Sequence, residues 1–237
     1  PTHRVSLPQG CKDVQVCMSA EGAVLMAMAQ DAVSRQHHIK LYDVSMLGNG
    51  PFADIAPSAS LWQSAFETYA ARIATGSGNS SRGGSSNSSR TGAGAYAAVG
   101  RKHAAQCASA AWTSLDCSPD GQKILVGTDD EFTLVLDAMS GDDETVPPLV
   151  VHNPTSLSME KETSFGVAYS SDAKYILCGN EDNGVGVFDV TGEGLETPGA
   201  QVANLNGHAT PVGHIKCNPK YDVVATACHN VALWIQN

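Results

Sequence analysis

Eight histidines and seven cysteines carry the widest chemistry open to this 237-residue chain. Imidazole and thiolate bind zinc when they come in closely spaced pairs, and a thiol becomes a nucleophile beside an imidazole base. The cysteines fall at 11, 17, 107, 117, 178, 217 and 228, with no C-x-x-C pair and no zinc-like spacing. His37 and His38 are adjacent on what reads as an exposed turn, with no second ligand pair at a suitable distance. There is no G-x-S-x-G, no H-E-x-x-H and no phosphate-cradling glycine loop, and Gly184-Val185-Gly186 lies on a predicted strand rather than before a helix. No catalytic residue, no metal ligand and no cofactor site is assigned, and the chain reads as a non-enzyme.

The elements that would position such residues repeat. Leu115–Asp137 (LDCSPDGQKILVGTDDEFTLVLD) reads as three short strands. The turn Ser118-Pro119-Asp120-Gly121 joins the first two, and Thr128–Glu131 joins the second and third. Phe132–Leu136 is nearly all apolar, which fits a strand buried on both faces. Ser164–Asp189 repeats the phrase with Ala173 in the place of Gly121, and Val212–Ile235 repeats it again. Val14–Asp43 is a looser copy with a longer second turn, Gln30–His38. Fixed-period, strand-rich self-similarity predicts an all-β fold, a β-propeller of four-stranded blades. The third strands close on Tyr42-Asp43, Leu136-Asp137, Phe188-Asp189 and Trp234-Ile235, a degenerate WD dipeptide, and Gly207-His208 is the matching GH. His208 then reads as an anchor that hydrogen-bonds to the inner strands. In the turn that usually carries an aspartate partner, Asp129 or Asp130 and Asp182 serve two blades, and His229-Asn230 takes its place in the last.

Along the chain, Thr2–Leu7 reads as an outer strand, and Phe52–Ile55, Pro148–Val151 and Val202–Asn206 as the outer strands of three blades. Leu61–Ile73 has helical apolar spacing. It leads into Gly76–Ala95, where 13 of 20 residues are Gly or Ser, flexible-linker chemistry. Residues 61–111 are therefore expected to be an insertion between two blades, part helix and mostly disordered loop. The opening at Pro1 in mid-strand suggests a piece of a longer protein.

The net charge is −10. Such a surface repels phosphate backbones, so direct nucleic-acid binding is disfavoured. The acidic excess sits in turns, either for solubility or as a rim for a basic partner segment. No apolar run is long enough to span a bilayer. Unpaired cysteines on strands read as small hydrophobes in a cytosolic or nuclear protein.

Two stretches go beyond generic repeats. IKLYDVSMLGNGPFADI (Ile39–Ile55) and HATPVGHIKCNPKYDVVATACHNVALWIQ (His208–Gln236) closely resemble the WD-repeat protein eighty-two / Swd-two-like family. That family supplies a WD-repeat subunit to COMPASS-type histone methyltransferase and PNUTS–type-one phosphatase complexes. GPFA and NPKY…ACHNVALW are the specific phrases. The resemblance covers the chain except 61–111 and implies a nuclear, non-enzymatic, seven-bladed scaffold of which about four blades, the C-terminal part, are here. Family members are also linked to the phosphorylated tail of RNA polymerase II, but the few Arg/Lys clusters here place no such site. The partners implied are protein subunits of a multi-subunit nuclear complex, with no direct nucleic acid and no membrane.

The expected partner contacts are turns at one end of the blades: Arg35, His37, His38, Asp130, Glu131, Glu181, Asp182, His229 and Asn230. Asp43, Asp137, Asp189, Gly207, His208 and Trp234 are expected to be structural repeat positions. A ubiquitin-ligase substrate adaptor on the same fold is the alternative. A propeller hydrolase or lactonase with a channel metal would need inward carboxylates or histidines in several blades, and the apolar strands argue against it.

Overall fold

A computed structural model describes residues 5, 7, 11–76, 104–105, 109–130, 132–139, 147–153, 165–180, 182–192 and 197–235. The described strands form four antiparallel sheets in chain order. The first holds β1 (Lys12–Met18), β2 (Val24–Gln30), β3 (His37–Asp43) and β4 (Ala53–Ile55). The second holds β5 (Trp112–Cys117), β6 (Lys123–Thr128), β7 (Phe132–Asp137) and β8 (Leu149–His152). The third holds β9 (Val167–Tyr169), β10 (Tyr175–Gly179), β11 (Gly184–Asp189) and β12 (Ala200–Asn206). The fourth has three strands, β13 (His214–Cys217), β14 (Val223–Ala227) and β15 (Val231–Ile235). Each sheet is a meander, and the first strands line up, with β1 beside β5, β5 beside β9 and β9 beside β13. This is the blade arrangement of a β-propeller.

One turn chemistry recurs after the first strand of the second and third blades. In the second blade Ser118 Oγ accepts the Lys123 N–H (2.9 Å) and donates to Asp120 Oδ1 (2.5 Å), which accepts the Gln122 N–H (3.0 Å). The third blade repeats it with Ser170, Asp172 and the N–H groups of Tyr175 (2.9 Å) and Lys174 (3.1 Å). Gly121 and Ala173 occupy the same corner with φ of 69° and 59°. The sequence substitution of alanine for glycine therefore leaves an L-residue in the left-handed region. At the far end of the third strands, Asp43 accepts from Ser45, Asp137 from Met139 and Lys123, and Asp189 from Thr191 and Gly192. These aspartates close the exit turn, a capping job short polar side chains do well.

Phe132–Leu136 is buried throughout, as the apolar run predicts, and Tyr42, Leu136 and Phe188 fill the core at the position of the WD tryptophan. Polar ties then join the blades. Asp116 on β5 accepts the Tyr169 N–H of β9 (3.0 Å) and the Lys216 ammonium of β13 (2.9 Å), linking three blades through one carboxylate. Asn153 donates to Gly179 O at 2.7 Å, and Ser114 to Phe165 O at 2.8 Å.

The helix expected at Leu61–Ile73 is longer, α1 (Ala59–Gly76), and starts under a serine cap, with Ser58 Oγ accepting the Leu61 N–H at 3.3 Å. It is a core element. Trp62, Ala65, Phe66 and Ala70 are buried, and Phe66 stands edge-to-face with Phe132 at 5.0 Å. Arg72 donates to Val150 O of β8 (2.7 Å) and to Pro198 O just before β12, so α1 ties the outer parts of two blades. The helical part of the expected insertion is therefore packed on the blades, because the helix has an aromatic stripe with a waiting partner surface. The Gly/Ser stretch 77–95 and the Thr2–Leu7 strand lie outside the described residues, except Val5 and Leu7, which form no strand.

Candidate interaction face

Because the inner strands run side by side and each sheet is a meander, the β2–β3, β6–β7, β10–β11 and β14–β15 turns all emerge on one face. The nine residues expected there do not share one environment. Arg35 is exposed, at φ 58°, in a turn that Asp31 holds by accepting from Val33 and Ser34 (both 2.8 Å). His37 corrects the expectation of an exposed turn. It is the first residue of β3, only 7% exposed, stacked on Trp112 at 4.9 Å, and its Nε2 accepts the Trp112 N–H at 3.3 Å. His38 is also on β3 rather than a turn, and its Nδ1 pairs with Asp54 Oδ1 at 3.0 Å on the neighbouring β4. Asp54 takes Lys40 on its other oxygen at 3.0 Å. Burial raises the Asp54 pKa, but the hydrogen bonds from Lys40 and His38 outweigh it and hold the carboxyl below its usual range.

Asp130 is half-buried, and its N–H donates to Thr128 Oγ1 at 3.3 Å. Asp182, His229 and Asn230 are exposed. Glu131 and Glu181 lie outside the described residues. Helix α1 explains the division. Its Trp62 and Phe66 meet Trp112 and Phe132, the first residues of β5 and β7, so the helix covers the ends of blades at this same face. The turns of the third and fourth blades are left open. Sequence reasoning could have found this covering from the aromatic residues of the helix, but nothing in the spacing said which face it would take.

The last blade shows how its turn is wired. Trp234 Nε1 donates to Thr226 Oγ1 (2.8 Å), Thr226 Oγ1 lies 2.6 Å from His208 Nε2, and His208 Nδ1 lies 3.1 Å from Cys228 Sγ. His208 is thus the anchor expected, but Cys228, not His229 or Asn230, stands where the aspartate partner would be. The cause is turn length. Ala227 pairs with Val231 across three residues, whereas Gly127–Thr133 and Gly179–Val185 enclose five. Gly207 lies before this anchor at φ 150°, with a Cβ position facing Trp234.

Among the described residues no three His, Cys, Asp or Glu side chains gather as a metal site, and no described helix is long and apolar enough to cross a membrane.

The serine–aspartate turns, the four meanders and the tryptophan–threonine–histidine anchor define a WD-repeat β-propeller. The chain is 33% identical over 125 residues to WD repeat-containing protein 82 of Drosophila melanogaster, which bears out the family resemblance read from the sequence. That alignment takes in 52% of this chain and 35% of the relative. No protein-family profile matches. Among solved structures, the RRP9 WD40 repeats (TM-score 0.55, 15% identity) and the Cps50 (Swd1) β-propeller domain of Myceliophteria thermophila (0.50, 14%) each match 98% of this chain. The chain spans only 50% and 59% of those two chains.

Proposed function

We propose that this chain is a non-enzymatic nuclear scaffold that holds peptide segments of larger subunits in a histone methyltransferase complex, a PNUTS–type-one phosphatase complex or both. The observation that carries the reading is the open half of the interaction face, where Asp182, His229 and Asn230 project from turns on a buried framework, in a chain similar to WD repeat-containing protein 82. Fixed blades with variable polar turns suit recognition of extended peptide rather than chemistry. The net charge of −10 supports protein partners over nucleic acid. We also take these blades as part of a larger ring, since Val14, Val16 and Met18 on β1 and Val231, Leu233 and Ile235 on β15 are exposed apolar positions that a further blade could cover.

The test is affinity purification from nuclear extract with mass-spectrometric identification, comparing the natural protein with an Asp182→Arg, Asn230→Ala double variant. A methyltransferase or phosphatase-targeting subunit recovered by the first and lost by the second is the expected result. Recovery of cullin-type ligase components instead would overturn the assignment of complex while leaving the fold intact.

A further inference from the structure

The seam between the first and second blades holds two thiols. β1 and β5 run side by side there, with Cys17 and Cys117 at their ends. On β1, Cys17 pairs across the sheet with Met26, and on β5, Cys117 pairs with Ile124. Directly opposed residues of an antiparallel pair share a face, and Met26 and Ile124 are both fully buried in one apolar cluster. Cys117 belongs to that cluster and Cys17 packs against it, so the two side chains enter the seam from opposite blades. The blades touch at Met18, the residue after Cys17, whose carbonyl oxygen accepts from Cys117 Sγ at 3.4 Å. Among the described residues the other two seams hold one cysteine each, Cys178 between the second and third blades and Cys217 between the third and fourth. The pair is also asymmetric. The neighbouring Cys17 draws the Cys117 thiol down against burial and Asp116, while the neighbouring Cys117, together with burial, pushes Cys17 up. One sulfur therefore ionises first and the other keeps its proton, the division between an attacking and a resolving thiol.

We propose that Cys17 and Cys117 are a redox-sensitive pair that hydrogen peroxide closes into a disulfide across this seam. The Cys117 thiolate attacks one peroxide oxygen, an S–O bond forms, the O–O bond breaks, and the hydroxide released takes up the proton that Cys117 gave to solvent. The Cys17 sulfur then attacks the Cys117 sulfur, an S–S bond forms, and the sulfenic hydroxyl leaves as water with the Cys17 proton. Two thiols are oxidised and one peroxide is reduced to two waters. The product fastens the first blade to the second at the seam on which α1 also packs, since Trp62, Ala65 and Phe66 belong to the same cluster.

The test treats the whole folded chain with hydrogen peroxide, alkylates the remaining thiols, and maps linked peptides by mass spectrometry without reduction. A Cys17–Cys117 linkage should dominate and should vanish with dithiothreitol. The urea midpoint of the oxidised protein should rise by about 1–2 M, because the bond closes a long loop in the unfolded chain. Cys17→Ser removes the resolving thiol, so it should abolish the linkage and the rise and leave a sulfenic acid on Cys117 that dimedone traps. The linkage is read on the natural chain, so a misfolded variant does not blunt the test. If Cys17 and Cys117 both stay alkylated at peroxide levels that oxidise other thiols of the chain, the proposal is overturned. Linkage of either one to other cysteines as often as to each other overturns it as well.

Discussion

Replacing Phe66 by alanine asks whether α1 belongs to the propeller core or rides on it. The ring is fully buried, sits edge-to-face with Phe132 at 5.0 Å and 85°, and meets Tyr69 at 6.3 Å. Removing a buried phenylalanine ring costs about 3–5 kcal/mol. About 0.5–1.5 kcal/mol of that reflects the aromatic pairing. Against an unfolding free energy of about 5–15 kcal/mol, the loss is a large share of the whole. With a urea slope of about 2 kcal/mol per molar, the midpoint should fall by about 2 M. The control is Glu67→Ala, one residue along on the exposed side, which loses only the Gln63 hydrogen bond at 2.9 Å. That substitution should cost about 0.5 kcal/mol at most. Urea titrations followed by circular dichroism measure both. If the two variants unfold at the same urea concentration, the helix is not part of the cooperative core and the assignment of α1 is wrong.

Two further predictions concern the turns and the first blade. Ala173→Gly should stabilise by about 0.5–1 kcal/mol, because relief of the left-handed backbone outweighs glycine's extra entropy. Gly121→Ala should destabilise by a similar amount, and through backbone conformation alone, since nothing lies within 4 Å of the added Cβ; denaturation midpoints that shift in the same direction for both would refute the shared corner. Asp54 has a depressed pKa, so its contribution is present above the unfolded value of about 3.9 and is lost as pH falls through the folded one. Asp54→Asn should therefore lower the neutral plateau of melting temperature against pH while leaving the most acidic end nearly unchanged, which flattens the acid limb; an unchanged acid limb counts against the His38–Asp54–Lys40 cluster.

The second and third blades were legible because both repeat one local chemical device. Ser118 and Asp120 recur as Ser170 and Asp172, and the structure shows both pairs making the same bonds. The apolar runs then place β6 and β7 to within one residue at each end. What spacing could not carry was the partner of α1. Its aromatic stripe signals a helix that must be buried, yet Trp112, Phe132 and His152 lie 50 to 90 positions away in the chain, and only the fold brings them to Trp62, Phe66 and Tyr69. Asp116 escaped for the same reason, since a lone carboxylate on a strand gives no hint of Lys216 two blades away.

The turn residues show a subtler failure. Reading His37 as exposed treated Gln30–His38 as one loop, but β3 resumes at His37, where pairing with Gln30 turns the ring inward onto Trp112. In the last blade, counting from the end of the second strand puts His229-Asn230 at the partner position, while counting back from Val231 puts Cys228 there. A turn shortened by two residues decides between them, and strand pairing at Ala227–Val231 settles it for the sulfur. The same shortening pushes His229 and Asn230 to the tip, where a peptide could meet them, and leaves the thiol beneath as the acceptor for His208. Turn length therefore fixes two properties at once: which polar groups the open face presents, and which atom behind them meets His208.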